Sequence, residues 1–148
     1  MVNIRIILDS SLEEGDLELH CHPQNTSVLD IKQLIQDYTT QNFLQVRGSD
    51  HATHAIRLND VYTFRIENKL LHVYTTHGTY THSERLYQIK QRLNHTFLQI
   101  SKSEIINLSL IDHLVLHKSG IIEIIFIDGA STYSSRRYLK LIKEALKL

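Results

Sequence analysis

What most constrains this chain is the stretch from residue 55 to residue 133. There, short runs rich in isoleucine, valine, tyrosine and threonine are cut repeatedly by turn-forming residues. Residues 56–58, 61–66 and 70–76 are apolar or alternating, broken by Asn59-Asp60, Glu67-Asn68-Lys69 and His77-Gly78, and the pattern resumes at Tyr80. It continues through 97–100, 105–108, 111–117 and 121–127, with Lys118-Ser119-Gly120 closing one hairpin and Asp128-Gly129 leading into 130–133. Runs this short, with this side-chain chemistry and this punctuation, are strands of antiparallel sheets rather than helices. The Asp-Gly pair is a type I′ hairpin signal. The expected fold is mainly β (α+β), with few helices.

Three helices are expected. From Ser83 to Asn94, Leu86, Ile89 and Leu93 fall on one face and Arg85, Lys90 and Arg92 on the other. At the end of the chain Ser134 or Ser135 suits an N-cap, and Tyr138, Leu139, Ile142, Ala145 and Leu146 follow at amphipathic spacing. Near the start, Ser27 and Asp30 have the spacing of a capping box. Val28, Ile31, Leu34, Ile35 and Tyr38 then share a face through about residue 39. Before that helix, residues 3–8 and 17–21 read as two strands around the turn Glu13-Glu14-Gly15-Asp16. The chain therefore divides into a β-β-α extension, residues 1–44, and a domain spanning 45–148. An extension that short cannot bury a core alone, so dimerisation or regulation is its expected role.

Composition removes several function classes. The start of the chain lacks the basic segment and cleavage site of a signal peptide, and no apolar run approaches a membrane span, so a cytoplasmic location is expected. Cys21 is the only cysteine, which excludes an intrachain disulfide and a cysteine-based zinc site; a buried free thiol is expected. The ten histidines are scattered. His20-Cys21-His22 is the densest group, but on a strand the cysteine would face away from both histidines, so no metal and no cofactor are expected. No GxSxG elbow, P-loop, GxGxxG turn or HExxH pair is present. The chain is not expected to be an enzyme or to take a small-molecule substrate.

Charge is informative once the chain is divided. The formal total is zero, yet residues 1–83 carry six basic against ten acidic side chains, a net −4, and residues 84–148 carry ten against six, a net +4. The basic half contains two features that packing does not require. Ser101-Lys102-Ser103 interrupts a strand pattern, and Arg136-Arg137 falls in the first turn of the last helix, where the helix dipole disfavours cations by about 0.3–1 kcal/mol each. Serine hydroxyls, free helical N–H groups and guanidinium forks make a site for an anion, phosphate above all. The competing reading is a pair of solvated arginines.

The run Phe97 to Leu108 (FLQISKSEIINL), followed by Ile111, the Asp128-Gly129 hairpin and Ser135-Arg136-Arg137-Tyr138, resembles the LytTR DNA-binding domain. The resemblance covers about residues 45–148, and the whole chain is similar to stand-alone bacterial LytTR regulators that lack a receiver domain. It implies an elongated fold of about ten strands in three small antiparallel sheets. It also implies a sequence-specific regulator whose loops enter successive major grooves of double-stranded DNA at repeated sites, as a homodimer or a pair of protomers. The DNA-contacting positions it implies are Lys69 in the Asn68-Lys69 turn, Ser101, Lys102 and Ser103, and Ser135, Arg136 and Arg137. Arg137 is the expected base reader and Arg136 with the serines the expected phosphate contacts. Ser101 stands where family members often carry histidine or arginine. Stand-alone relatives are often encoded beside a small membrane protein that restrains them, which makes such an inhibitor a partner implied for the extension. The reading from another class is a LytTR-like protein-interaction or signal-sensing module without DNA binding.

Overall fold

The computed structural model describes residues 5–13 and 16–147. By its internal contacts the chain forms two compact units, residues 1–35 and 36–148.

In the first unit the described residues up to 27 form turns and irregular chain, with none buried. The strand expected over 3–8 is not formed at 5–8, its first two residues lying outside the described ones, and the strand expected over 17–21 is not formed either. Alternation there had no neighbouring strand to supply the ladder that makes a strand stable. Cys21 is an exposed free thiol rather than a buried one, for the same reason: no sheet gives it an inner face. The helix is present. α1 spans Val28–Asn42, with Ile31 N–H donating to the Ser27 carbonyl at its start, and runs three residues further than its apolar stripe suggested.

The second unit carries ten strands among the described residues. β1 (Phe43–Arg47), β2 (Thr53–Arg57), β3 (Val61–Glu67), β4 (Leu70–Thr75), β5 (Gly78–His82), β6 (Phe97–Ser101) and β7 (Glu104–Asn107) form one antiparallel sheet in the order β2-β1-β5-β4-β3-β7-β6. β8 (Ile111–Leu116), β9 (Ile122–Phe126) and β10 (Ser131–Ser134) form a second, in the order β10-β9-β8. α2 (Leu86–Arg92) and α3 (Arg136–Ala145) complete the domain. The expected three sheets are thus two among the described residues. Strand β1 joins β5 through the single pair Arg47–Thr81, and this fuses the β1–β2 hairpin to the larger sheet.

Around β3, β6 and β7 the larger sheet has a core on each face, and its side-chain alternation sorts residues between the two. Ile105 joins Phe64, Val73, Leu86 and Ile89 beneath α2. Ile106, its neighbour, joins Ile100, Ile124, Phe126 and Ile142 beneath the smaller sheet and α3. This is the period-two rule acting on one central strand. A bulge between Val61 and Thr63 lets Val61 and Phe64, three residues apart, enter the same core. Asn107 is buried; its amide donates to the Val61 carbonyl (2.9 Å) while its oxygen accepts from Ser109 N–H and hydroxyl, which fixes the 3-10 turn after β7.

Candidate nucleic-acid interface

The β3–β4 turn is made by Asn68 and Lys69, both in the left-handed region at φ 50° and 65°. Two successive positive φ values define a type I′ turn, whose twist matches that of the strands it joins. Asparagine tolerates this; a lysine there costs roughly 1–2 kcal/mol. Lys69 is exposed and makes no hydrogen bond or ion pair with any described residue.

The β6–β7 turn lies beside it. β3 and β7 pair with Arg65 opposite Glu104, and Ile66 N–H donates to the Ser103 carbonyl at 2.8 Å. Ser101 Oγ accepts from Ser103 N–H (3.2 Å) and lies 3.3 Å from Ser103 Oγ, so the two hydroxyls shape the turn between them. Lys102, at the tip, is exposed and unpaired among the described residues. Lys69 and Lys102 border the same hollow of about 700 Å³, together with Arg85 and Tyr87. The structure therefore brings the first two expected contact segments to the same end of neighbouring strands in the large sheet.

The third segment is on a separate element. Ser135 occupies the N-cap position of α3, but its side chain makes no capping bond. The first N–H groups of a helix have no partner four residues back within it; that of Tyr138 donates to the Ser135 carbonyl (3.0 Å), and those of Arg136 and Arg137 have no partner among the described residues. The two arginines differ. Arg136 donates from Nε (3.0 Å) and Nη2 to the Ser119 carbonyl in the β8–β9 turn. Its side chain fills the space a Cβ on Gly120 would occupy, and Gly120 is in the left-handed region at φ 82°. This contact explains why a cation is tolerated in the first turn. Arg137 is exposed and has no hydrogen bond or ion pair with any described residue.

Behind the three segments lies a polar cluster that the sequence reading did not single out. Glu104 is 6% exposed. Its Oε1 accepts from Thr63 Oγ1 (2.8 Å) and Arg65 Nη2 (2.9 Å), and its Oε2 accepts from Thr132 Oγ1 (2.9 Å). Arg65 Nη2 also donates to Thr132 Oγ1 (2.9 Å), and Nη1 donates to Glu67 Oε1 (3.2 Å), whose other oxygen accepts from the Tyr74 hydroxyl (2.8 Å). Burial alone would lower the Arg65 pKa, but the hydrogen bond and charge of Glu104, with Glu67, outweigh it and raise it. The Tyr74 hydroxyl holds the Glu67 carboxyl below its ordinary range, against burial, with help from Arg65. Burial first, and then the bond to Glu67, push the Tyr74 phenol up. A lone acid opening the apolar run Ile105-Ile106 was the one trace of this cluster in the sequence.

No group of three or more histidine, cysteine, aspartate or glutamate side chains that could hold a metal occurs among the described residues.

Known proteins resemble this chain in family and in fold. Residues 51–147 match the family described as LytTr DNA-binding domain. Two proteins of Staphylococcus aureus, from strains NCTC 8325 and COL, are each 34% identical over 148 residues, with all of both chains covered; each is named an uncharacterized HTH-type transcriptional regulator. A solved LytTr DNA-binding domain from Bacillus cereus superposes with a TM-score of 0.67 at 17% identity, over 72% of this chain and 98% of that one. With the family match covering most of its length and relatives aligned from end to end, the chain belongs to the LytTR DNA-binding domain family.

Proposed function

We propose that this protein is a transcriptional regulator that reads repeated sites in double-stranded DNA with its turns and the start of α3, placed in successive major grooves. The observation that carries this reading is the set of three cations, Lys69, Lys102 and Arg137, each on a different exposed turn or helix start and each without a partner among the described residues. Their chemistry suits a polyanion. The two lysines border one hollow, as phosphate contacts that fix register would require, while Arg137 has its planar donor fork free for guanine O6 and N7. Arg136, Ser101, Ser103 and Ser135 complete the proposed contact set, Arg136 from a position braced on Ser119.

The helices give this mode a second support. Among the described residues α1, α2 and α3 are separated from one another by strands, so none forms the adjacent pair, joined by a short turn, of a helix-turn-helix. This supports reading by the turns and the start of α3 in place of a paired recognition helix. We assign residues 45–148 to DNA binding and residues 1–44 to dimerisation or to docking of a small membrane-protein inhibitor. No helix of the described residues is long and apolar enough to cross a membrane, and a cytoplasmic regulator is the reading adopted.

The test is selection of binding sites from a random duplex pool, followed by fluorescence anisotropy of the selected and scrambled duplexes at two salt concentrations. Wild type is expected to prefer the selected duplex, and Arg137→Ala to lose about 1–3 kcal/mol of that discrimination, the worth of one bidentate base contact. Absence of any salt-dependent preference in the wild type would transfer the reading to a protein-interaction module.

A further inference from the structure

We infer that Glu104 and Thr132 form a positioning joint for the DNA-reading segments: one buried carboxylate ties together the roots of all three. The inference rests on the reading of Lys69, Lys102 and Arg137 as the contact residues. Glu104 follows Lys102 by two residues, and Glu67, bonded to Arg65, precedes Lys69 by two. Thr132 precedes the Ser135 N-cap by three. Two residues of extended chain span about 7 Å, so each lysine-bearing tip stands a short, nearly rigid distance from the joint. The bond from Thr132 Oγ1 to Glu104 Oε2 crosses from the small sheet to the large one, while Thr63 and Arg65 hold the other oxygen from β3.

Stability alone does not account for this arrangement. A buried ionic group of this kind is seldom worth more to the fold than apolar residues of the same volume, because desolvation offsets its attraction. What directed bonds add is a single geometry. Apolar contacts between the two sheets would tolerate sliding of β10, and with it the start of α3, along β7. A carboxylate whose two oxygens are divided between the sheets fixes their relative register. Reading bases at several separated points needs such fixed spacing, since a site is productive only when its contact groups are held to within about half an ångström by locked supporting residues. Glu104 and Thr132 are themselves buried, at 6% and 4% exposure, and therefore act through the residues they hold.

The experiment compares wild type, Thr132→Val and Thr132→Ser for binding to the duplex that wild type selects from a random pool and to its scrambled counterpart. Valine keeps the shape and removes both crossing bonds of the Thr132 hydroxyl, the one it donates to Glu104 and the one it accepts from Arg65; serine keeps the hydroxyl. The expected result is a fall of about tenfold in the ratio of selected to scrambled affinity for Thr132→Val, comparable with losing one base contact. The salt slope and the affinity for scrambled duplex should stay unchanged, and Thr132→Ser should keep the wild-type ratio. A purely structural role lowers both affinities together as the folded fraction falls, so the ratio separates the two. An unchanged ratio in a folded Thr132→Val protein overturns the inference. A wild type that selects no duplex overturns the DNA-reading assignment itself, and the inference with it. Should the valine variant lose its cooperative unfolding transition, Glu104→Gln takes its place with the same outcomes.

Discussion

Lys69 occupies a backbone conformation that asks for glycine. Together with Asn68 it makes a turn whose second position is most often glycine, yet the chain places there a long cation that bonds to nothing among the described residues. Strain retained at an exposed, unpaired side chain points to use rather than to packing. Lys69→Gly should therefore separate stability from binding. Relief of the left-handed strain, less the entropy glycine adds to the unfolded chain, is expected to stabilise the fold by about 0.5–1 kcal/mol. The same change should remove one phosphate contact and lower the log–log salt slope of DNA affinity by about 0.9. Urea unfolding beside a salt titration of anisotropy measures both. A variant that is more stable and binds with the wild-type slope would take Lys69 out of the interface. Lys69 was legible in the sequence only through the family resemblance; its torsion angles were not, because nothing in Glu67-Asn68-Lys69 distinguishes a type I′ turn from other tight turns. The reverse occurs at Asp128-Gly129. The sequence suggests type I′, but only Gly129 has positive φ, and Gly129 N–H bonds to the Phe126 carbonyl, as in a type I turn closed by a bulged glycine.

Elements were easier to read than the contacts between them. Strands expected over 61–66, 70–76 and 111–117 and the inner face of α2 follow from local side-chain chemistry, and the structure has those strands within one residue, at 61–67, 70–75 and 111–116. The Glu104 cluster did not follow, because its members Thr63, Arg65 and Thr132 are separated from Glu104 by 28 to 41 residues and meet only once both sheets are assembled. The anchoring of α3 is of the same kind. Arg136 looked free in the sequence, but the helix start is pinned to the β8–β9 turn through Ser119, over a glycine whose missing Cβ makes room for the guanidinium. Gly120→Ala combines left-handed strain with displacement of Arg136, and should cost about 1–3 kcal/mol. In an Arg136→Ala background the displacement part disappears, so the two changes should be non-additive by at least about 0.5 kcal/mol in a double-mutant cycle of urea unfolding. Strict additivity would show that the Arg136 contact contributes nothing to holding the helix start.

At the scale of the whole molecule, zero net charge conceals a division of labour. Residues 1–27 carry one basic and five acidic side chains, so the remainder, 28–148, has a net charge of +4. Among the described residues, both hydrophobic cores are composed of residues 44–146. Removing residues 1–27 leaves α1 whole and takes no described residue from either core, so the midpoint of thermal unfolding is expected to move by no more than about 2–4 °C, the shift that accompanies 1 kcal/mol in a chain of this size. Binding should change in the opposite sense to what loss of structure would give. Without the acidic segment, the repulsion of a polyanion weakens, and affinity for scrambled duplex at low salt should rise. Added salt shortens the Debye length from about 30 Å at 0.01 M to about 8 Å at 0.15 M and should remove most of the gain. Anisotropy of full-length and shortened proteins on one scrambled duplex, from low to physiological salt, gives the answer directly. Equal affinities at every salt concentration would mean that the acidic segment exerts no field at the interface. A gain that shrinks with salt would make it an electrostatic restraint on non-specific binding, leaving the selected site favoured by the contacts that read it.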